Sequence, residues 1–236
     1  MTSHNQRIRT GGAGSILKAS SASGLADLGV RGAAGSGHCD ESSERPKSFR
    51  VGTLNVGTMR GKASEVVETM TRRRMDLCCL QETRWKMDGV KIIDGKDSRY
   101  KFFWSGNDKG TSGVGVLLAE EWWEKVFQVM RVSDRVLLVR MVIGRTVFAF
   151  ICVYVPQVGL SDAEKNCLYQ MLHSAVAKVP ASEQLIICGD WNGHTGAEST
   201  GFREVHGGQA IGQRNTEKER VLEFAVANKL VVSELL

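Results

Sequence analysis

The sequence of 236 residues lacks several features that would assign a chain to a class at once. It has no apolar run near the roughly 20 residues that cross a bilayer, and its first 30 residues lack the apolar core of a secretory signal. None of the six cysteines stands in a Cys-x-x-Cys pair, which argues against a zinc ribbon or a redox motif. We therefore expect an intracellular protein, nuclear or cytoplasmic, with no membrane and no disulfide-linked partner, and a monomer.

Four cysteines, Cys78, Cys79, Cys152 and Cys188, stand inside apolar, strand-like runs. Cysteine in such a run usually behaves as a small buried hydrophobe. These residues are therefore predicted to be free thiols in the core, which suits a reducing compartment.

Aromatic residues are absent before Pro46, where the chain is rich in Gly, Ser and Ala. Such a segment buries too little apolar surface to offset the entropy of ordering it. We predict a disordered tail over residues 1–46 and one folded domain over residues 47–236. The basic, acid-free first 26 residues faintly resemble a mitochondrial transit peptide, although disorder is the preferred interpretation. The formal charge of +5 favours polyanions only mildly.

Strand-like and helix-like runs alternate from Phe49 onward. Strands are predicted at Phe49–Leu54, Leu77–Leu80, Tyr100–Trp104, Val114–Ala119, Arg135–Ile143, Val147–Val155, Gln184–Cys188 and Leu230–Ser233. Helices are predicted at Ser64–Arg74 with Ser64 as its cap, from Ser161 with a Ser161/Glu164 capping box, and from Thr216 to Asn228 with a Thr216/Glu219 box. Apolar strands and amphipathic helices together predict a layered α/β domain with its sheets inside.

Unusual polar residues mark the ends of these strands. Asn55 ends the first, Glu82 follows the second, Tyr154 ends the hairpin's return strand, and Asp190-Trp191-Asn192 ends a later one. Each residue by itself is explained more simply as a turn residue, a surface ion pair or a strand-end aromatic. Together they place carboxylates, carboxamides and a phenol where α/β folds gather catalytic groups. This oxygen-rich set predicts Mg²⁺ chemistry and suits zinc poorly.

A family resemblance rests on the same motifs. They are Leu54-Asn55, Leu80-Gln81-Glu82-Thr83, Tyr154-Val155-Pro156, the stretch from Gly189 to Gly196, Val205-His206-Gly207-Gly208 and Gly212-Gln213-Arg214-Asn215. The sequence resembles the endonuclease/exonuclease/phosphatase superfamily from about Ser48 onward. It is most similar to the apurinic-type endonuclease domains of RTE-type non-LTR retrotransposons and to the related craniofacial development protein 2 sequences.

The resemblance implies a four-layered α/β sandwich that is incomplete at the C-terminus. The family's pattern ends with strands that carry an Asp and then a Ser-Asp-His motif, and neither follows before Leu236. None of the five histidines replaces that motif by its position. A catalytic His of this kind contributes roughly 10²–10⁴-fold to a rate.

The resemblance also implies individual roles. Glu82 is the principal ligand of Mg²⁺, or of Mn²⁺, and Asn55 lies beside it in the metal site. Asp190 orients or deprotonates the attacking water, Asn192 holds phosphate or water, and Tyr154 donates a hydrogen bond to phosphate oxygens. Asn215 is a further substrate contact.

Basic and aromatic residues in the loops near these motifs are candidate DNA contacts: Arg84, Trp85, Lys86 and Lys109. An ordinary solvated loop is the equal alternative for Lys109 and its neighbours. The first functional hypothesis is therefore a Mg²⁺-dependent endonuclease that nicks DNA. The second is a catalytically inactive remnant that acts as a binding or interaction protein. The third is a phosphatase of inositol phosphates or a sphingomyelin-cleaving enzyme, which would share the metal site.

Overall fold

The computed structural model describes residues 15–19, 27–29, 48–155, 161–192 and 216–234. The strands are β1 (Ser15–Ala19), β2 (Asp27–Gly29), β3 (Ser48–Asn55), β4 (Leu77–Gln81), β5 (Asp88–Asp94), β6 (Arg99–Ser105), β7 (Val114–Ala119), β8 (Val126–Ser133), β9 (Val136–Ile143), β10 (Thr146–Tyr154), β11 (Gln184–Asp190) and β12 (Leu230–Glu234). The helices are α1 (Ala63–Arg72), α2 (Asp162–Ala177) and α3 (Thr216–Ala227), with a 3₁₀ helix at Glu120–Lys125.

The strands form two mixed, six-stranded sheets. One sheet has the order β2-β3-β4-β7-β6-β5 and the other has the order β12-β1-β11-β10-β9-β8. One apolar cluster fills the space between the sheets, a second packs α2 and α3 on the outer face of the β10–β11 sheet, and a third packs α1 on the outer face of the β3–β4 sheet. The resulting order is helix, sheet, sheet, helix, which confirms the predicted α/β sandwich.

Strand β10 shows why both faces of a sheet are apolar. Its side chains alternate, so that Phe150 and Cys152 lie between the sheets while Ile151 and Val153 face the helix layer. Both faces are buried, and the strand therefore reads as a continuous apolar run rather than an alternating one. The hairpin predicted at Gly144-Arg145 is confirmed, since Ile143 pairs with Thr146 in the β9–β10 register.

Three predicted details of the elements differ from the structure. Helix α1 begins at Ala63 after Lys62, and no side chain caps it, so the prediction of Ser64 as the cap is wrong. The sequence prediction also missed β5 and β8. On β5, Val90 and Ile92 are exposed while Ile93 is buried, and β8 is partly buried along most of its length, so neither strand shows a regular buried–exposed alternation.

Two short strands lie inside the segment predicted to be a disordered tail. β1 pairs antiparallel with both β11 and β12, and β2 pairs antiparallel with β3. An average over 46 residues does not reveal the short run Ser-Ile-Leu-Lys-Ala, whose backbone finds partners on two strands. The tail over residues 1–46 and the domain boundary at Pro46 stay predictions.

Other sequence-based expectations are met. The four strand cysteines are buried free thiols. Helix α2 begins with the predicted capping box, in which Glu164 N donates to Ser161 and Ser161 N donates to Glu164. The side chain of Thr216, predicted to open a second box, lies outside the described residues. No helix in the described ranges has the length and apolar character that crossing a membrane requires.

Candidate active site

Two parallel strand pairs bring the predicted polar residues together. β3 runs parallel to β4 in one sheet, and β10 runs parallel to β11 in the other. Because the carboxyl ends of parallel strands meet at one edge, Asn55 and Gln81 end side by side, as do Tyr154 and Asp190. The sheets face each other, so these two edges form one polar site above the inter-sheet core.

Asn55 joins the two sheets by hydrogen bonds. Its Nδ2 donates to Glu82 Oε1 at 3.0 Å and to Asp190 Oδ2 at 2.8 Å. Its Oδ1 accepts from the backbone N–H of Gly57 at 3.0 Å, which fixes the amide with its nitrogen towards the carboxylates. In this arrangement Asn55 holds both carboxylates in place, while its own oxygen is engaged elsewhere.

Glu82 reaches the site through an unusual backbone conformation. Leu77 and Cys79 of β4 face the inter-sheet core, so strict alternation would turn residue 82 to the opposite face. The φ of Glu82 is instead +55°, in the left-handed region, which ends the alternation. The Glu82 carboxylate is thereby placed against Asn55 and against Tyr154, whose hydroxyl donates to Oε1 at 2.9 Å.

Asp190 reaches the site by ordinary strand alternation, because its side chain lies on the same inner face of β11 as that of Cys188. It is 5% exposed. The backbone N–H of Asn192 donates to its Oδ1 at 3.0 Å, and Asn192 Nδ2 donates to Val155 O at 2.7 Å. Among the described residues, the donors that orient Asp190 are therefore neutral, and a carboxylate retains further lone pairs for a ligand.

The pKa shifts follow from these contacts. Partial burial would raise the pKa of Glu82, but hydrogen bonds from Asn55, Arg84 and Tyr154, with the charge of Arg84, outweigh it, and the pKa lies below its ordinary value. Burial, and then the hydrogen bond to anionic Glu82, raise the pKa of Tyr154 well above its ordinary value. Glu82 is therefore an anion at neutral pH, and Tyr154 keeps its proton and can donate it in a hydrogen bond.

Arginines surround the carboxylates. Arg84 Nη2 lies 2.8 Å from Glu82 Oε2. Arg60 Nε donates to the Arg84 carbonyl at 2.8 Å and thus holds the loop after Glu82. Arg135 lies with its Cζ 5.1 Å from the centroid of the Tyr154 ring, and its buried Nη1 has no hydrogen-bond partner among the described residues.

Sequence reasoning missed Arg135, although a signal was present. A hairpin that pairs residues 143 and 146 also pairs Val136 with Val153, which places Arg135 beside Tyr154. The backbone confirms this position, since Tyr154 N donates to Arg135 O at 3.0 Å.

The remaining predicted residues differ in where they lie. Trp85 is half-buried and packs edge-on against Phe102 and Trp104, with ring centroids 5.2 and 4.8 Å apart. Lys109 is exposed on the loop before β7. Asn215 lies outside the described residues. His173, the one histidine within the described ranges, lies on α2 with its ring against that of Phe224, at a centroid distance of 4.8 Å.

The carboxylate oxygens of this site are ligands of the type that Mg²⁺ prefers. Within the described part of the chain, no group of three or more His, Cys, Asp or Glu side chains could hold a metal ion. Mg²⁺ does not require such a group, because it keeps several waters and binds through one or two carboxylates plus substrate phosphate. Glu82, with Asp190 across the Asn55 amide, fits that pattern. A structural zinc site, which needs four nitrogen or sulfur ligands, is not present among the residues of this network.

Known proteins resemble this chain over most of its length. The profile of the Endonuclease/Exonuclease/phosphatase family matches residues 52–216. Craniofacial development protein 2 of Bos taurus is 26% identical over 200 residues, which are 84% of this chain and 33% of that protein. The protein of the same name from Tragulus javanicus is 24% identical, over 84% of this chain and 34% of that protein. The chain thus spans about a third of the length of these relatives.

Among solved structures, the 3′-5′ exonuclease NExo from Neisseria meningitidis superposes with a TM-score of 0.51 at 12% identity. The match covers 75% of this chain and 70% of that one. At such low identity the likeness concerns the fold.

Proposed function

This chain belongs to the endonuclease/exonuclease/phosphatase family, and from that membership we propose that it cleaves phosphodiester bonds of DNA with the help of Mg²⁺. We further propose that the domain is of the retrotransposon endonuclease type, on the strength of the Gly189–Gly196 motif and the glycine-rich motifs that follow it. The family's chemistry is the hydrolysis of phosphoesters. The metal, the DNA substrate and the retroelement origin are the parts that require testing.

One observation carries the proposal. A single carboxamide, Asn55, donates to a carboxylate from each sheet, Glu82 and Asp190. Two anionic groups are costly to hold this close in a partly buried site without neutral donors between them. Such an arrangement is typical of a site that receives a cation and a phosphate rather than of a structural ion pair.

The residues divide the chemistry among them. Asp190, with neutral partners and free lone pairs, is suited to orient a water and accept its proton. Tyr154, which stays protonated, is suited to donate to a phosphate oxygen, and the unpartnered Nη1 of Arg135 to donate to another. Asn192 fixes the orientation of Asp190 through its backbone N–H. Glu82 would be the carboxylate that holds Mg²⁺, and the ion would neutralise charge that develops on the phosphate oxygens.

DNA is preferred over a small phosphoester because positive charge extends away from the carboxylates. Arg60 and Arg84 lie on one side of the site, and Lys86 and Lys109 are exposed in adjacent loops. A row of cations beyond the reacting phosphate suits a polymer of phosphates better than a single one.

The test is a nicking assay on supercoiled plasmid and on a duplex with an abasic-site analogue, with Mg²⁺ varied. We expect Mg²⁺-dependent nicking by the wild-type chain, loss of it with a chelator, and a decrease of at least roughly 10²-fold in Glu82→Gln. Glu124→Gln is the matched control, because Glu124 is exposed on the 3₁₀ helix and undergoes the same chemical change.

Equal activity of wild type and Glu82→Gln would contradict the assignment. No metal-dependent cleavage at any protein concentration, with DNA binding intact, would favour the inactive, DNA-binding remnant instead. Cleavage of inositol phosphates or sphingomyelin without DNA cleavage would favour the third hypothesis.

A further inference from the structure

The Glu82 carboxylate has a cation on its open side. Its Oε1 accepts from Asn55 Nδ2 at 3.0 Å and from Tyr154 Oη at 2.9 Å, on the inner side of the site. Its Oε2 accepts from Arg84 Nη2 at 2.8 Å. The Glu82 side chain is 14% exposed, whereas that of Arg84 is 48% exposed. The position from which a metal ion would reach Oε2 is therefore shared with the Arg84 guanidinium.

The backbone holds Arg84 beside Glu82. Both Glu82 and Arg84 have left-handed φ angles, of +55° and +53°. Backbone hydrogen bonds hold the segment on two sides: Thr83 N and Arg84 N donate to the adjacent carbonyls of residues 113 and 112, each at 3.0 Å, and Met59 N donates to Thr83 O at 2.9 Å. Non-glycine residues adopt this conformation only when their surroundings over-determine it. The main chain is thus held firmly, and the exposed Arg84 side chain is the part that can move.

Resting on the proposed metal site, we propose that Arg84 is a resident counter-cation of Glu82, which a divalent cation displaces when it binds. Arg84 neutralises the carboxylate in the metal-free protein. A divalent ion on Glu82 repels a guanidinium that contacts the same oxygen, so the two do not occupy that edge together. Competition of this kind lowers the apparent affinity for metal, and it releases a guanidinium beside the site where phosphate is expected.

Two simpler roles for Arg84 make different predictions. If Arg84 served only as a substrate contact, its removal would leave metal binding in the absence of DNA unchanged. If its ion pair were only structural, its removal would lower the thermal stability without tightening metal binding. Only the competition predicts that removal of Arg84 increases the affinity for the metal ion.

The experiment is a titration of the full chain with Mn²⁺ without DNA, in which the free ion is measured by electron paramagnetic resonance. We expect Arg84→Ala to bind Mn²⁺ roughly two- to five-fold more tightly than wild type, the upper part of the range for one exposed charge pair. Arg84→Lys keeps the charge and is expected to stay near wild type. Lys86→Ala removes an equal charge two residues away and is expected to change the affinity less than about two-fold.

The possible outcomes distinguish the proposal about Arg84 from the proposed metal site. Unchanged or weaker Mn²⁺ binding in Arg84→Ala, with a thermal unfolding curve like that of wild type, would overturn the counter-cation. An equal gain in Lys86→Ala would overturn it as well, because general electrostatics would then account for the effect. If Glu82→Gln binds Mn²⁺ as tightly as wild type, the metal site itself is wrong and the proposed function fails with it. If Glu82→Gln loses binding while Arg84→Ala is unchanged, only the counter-cation fails.

Discussion

The two parallel strand pairs contribute equivalent residues to the site, but they hold their carboxylates differently. The β3–β4 pair supplies Asn55 and Glu82, and the β10–β11 pair supplies Tyr154 and Asp190. Glu82 arrives by a left-handed backbone and carries a cation on its open side. Asp190 arrives by ordinary strand alternation, is 5% exposed and accepts from neutral donors within the part of the chain that the structure describes.

This difference assigns distinct chemistry to two similar groups. A carboxylate already paired with a cation is suited to bind a cation, which is the role proposed for Glu82. A carboxylate held by neutral donors, with lone pairs left over, is suited to orient water and accept a proton, which is the role proposed for Asp190. Each of the following predictions tests one side of this comparison.

Asp190→Asn has the largest expected effect. Removal of a proton acceptor of this kind lowers the rate roughly 10²–10⁴-fold. The new amide also sets N–H groups against Asn55 Nδ2 or the Asn192 N–H, so a modest loss of stability is expected. Nicking rate and thermal unfolding are the measurements, with Asp97→Asn, in the exposed turn before β6, as the control. Retention of more than about a tenth of the activity would refute the role of Asp190 as proton acceptor.

Tyr154→Phe removes the phenolic hydroxyl that donates from the β10–β11 pair to Glu82 at the end of β4. A hydrogen bond to a charged group contributes about 1.5–3 kcal/mol, which corresponds to a roughly 10- to 100-fold lower rate if the bond moves to phosphate during catalysis. Mn²⁺ affinity is expected to change far less than in Glu82→Gln. A loss of metal binding equal to that of Glu82→Gln would show instead that Tyr154 acts through Glu82 alone.

Gly113→Ala tests the left-handed backbone of residues 82–84, which positions Glu82 but not Asp190. Gly113 has φ +129°, and a Cβ there would overlap the Thr83 hydroxyl. We expect a loss of about 1–3 kcal/mol in the free energy of unfolding, together with weaker metal binding as residues 82–84 shift. Gly61→Ala is the control, since its φ is also positive, at +69°, but nothing lies near its Cβ. Equal losses in both variants would attribute the effect to backbone strain alone.

The smallest effect concerns pH. The folded-state pKa of Glu82 lies below its ordinary value of 4.5, so the folded protein binds this proton less readily than the unfolded chain. The stabilisation from this group is therefore present above pH 4.5 and is lost as the pH falls through the lower folded pKa. Thermal unfolding of wild type and Glu82→Gln should differ at neutral pH, and the difference should shrink as the pH falls below 4.5. A difference that stays constant across this range would contradict the lowered pKa.

Much of the fold was predictable because its signals are local. The apolar runs that became β4, β9, β10 and β11 bury both faces, and the turn at Gly144-Arg145 fixes the hairpin register. Strands β5 and β8 lacked such a signal, because their burial depends on neighbouring strands and not on their own pattern. The strands inside residues 1–46 were also missed, since their partners β3, β11 and β12 lie far away in the sequence.

The sequence by itself determined the polar residues at the strand ends, because a strand of apolar residues shows where it stops. Only the tertiary structure decided how these residues meet. The left-handed turn at Glu82 and the amide of Asn55 shared between two sheets both depend on contacts between distant segments. The physical reason is that strand propensity and alternation are local properties. Hydrogen bonds between sheets, and the backbone strain they maintain, exist only after the two sheets have packed.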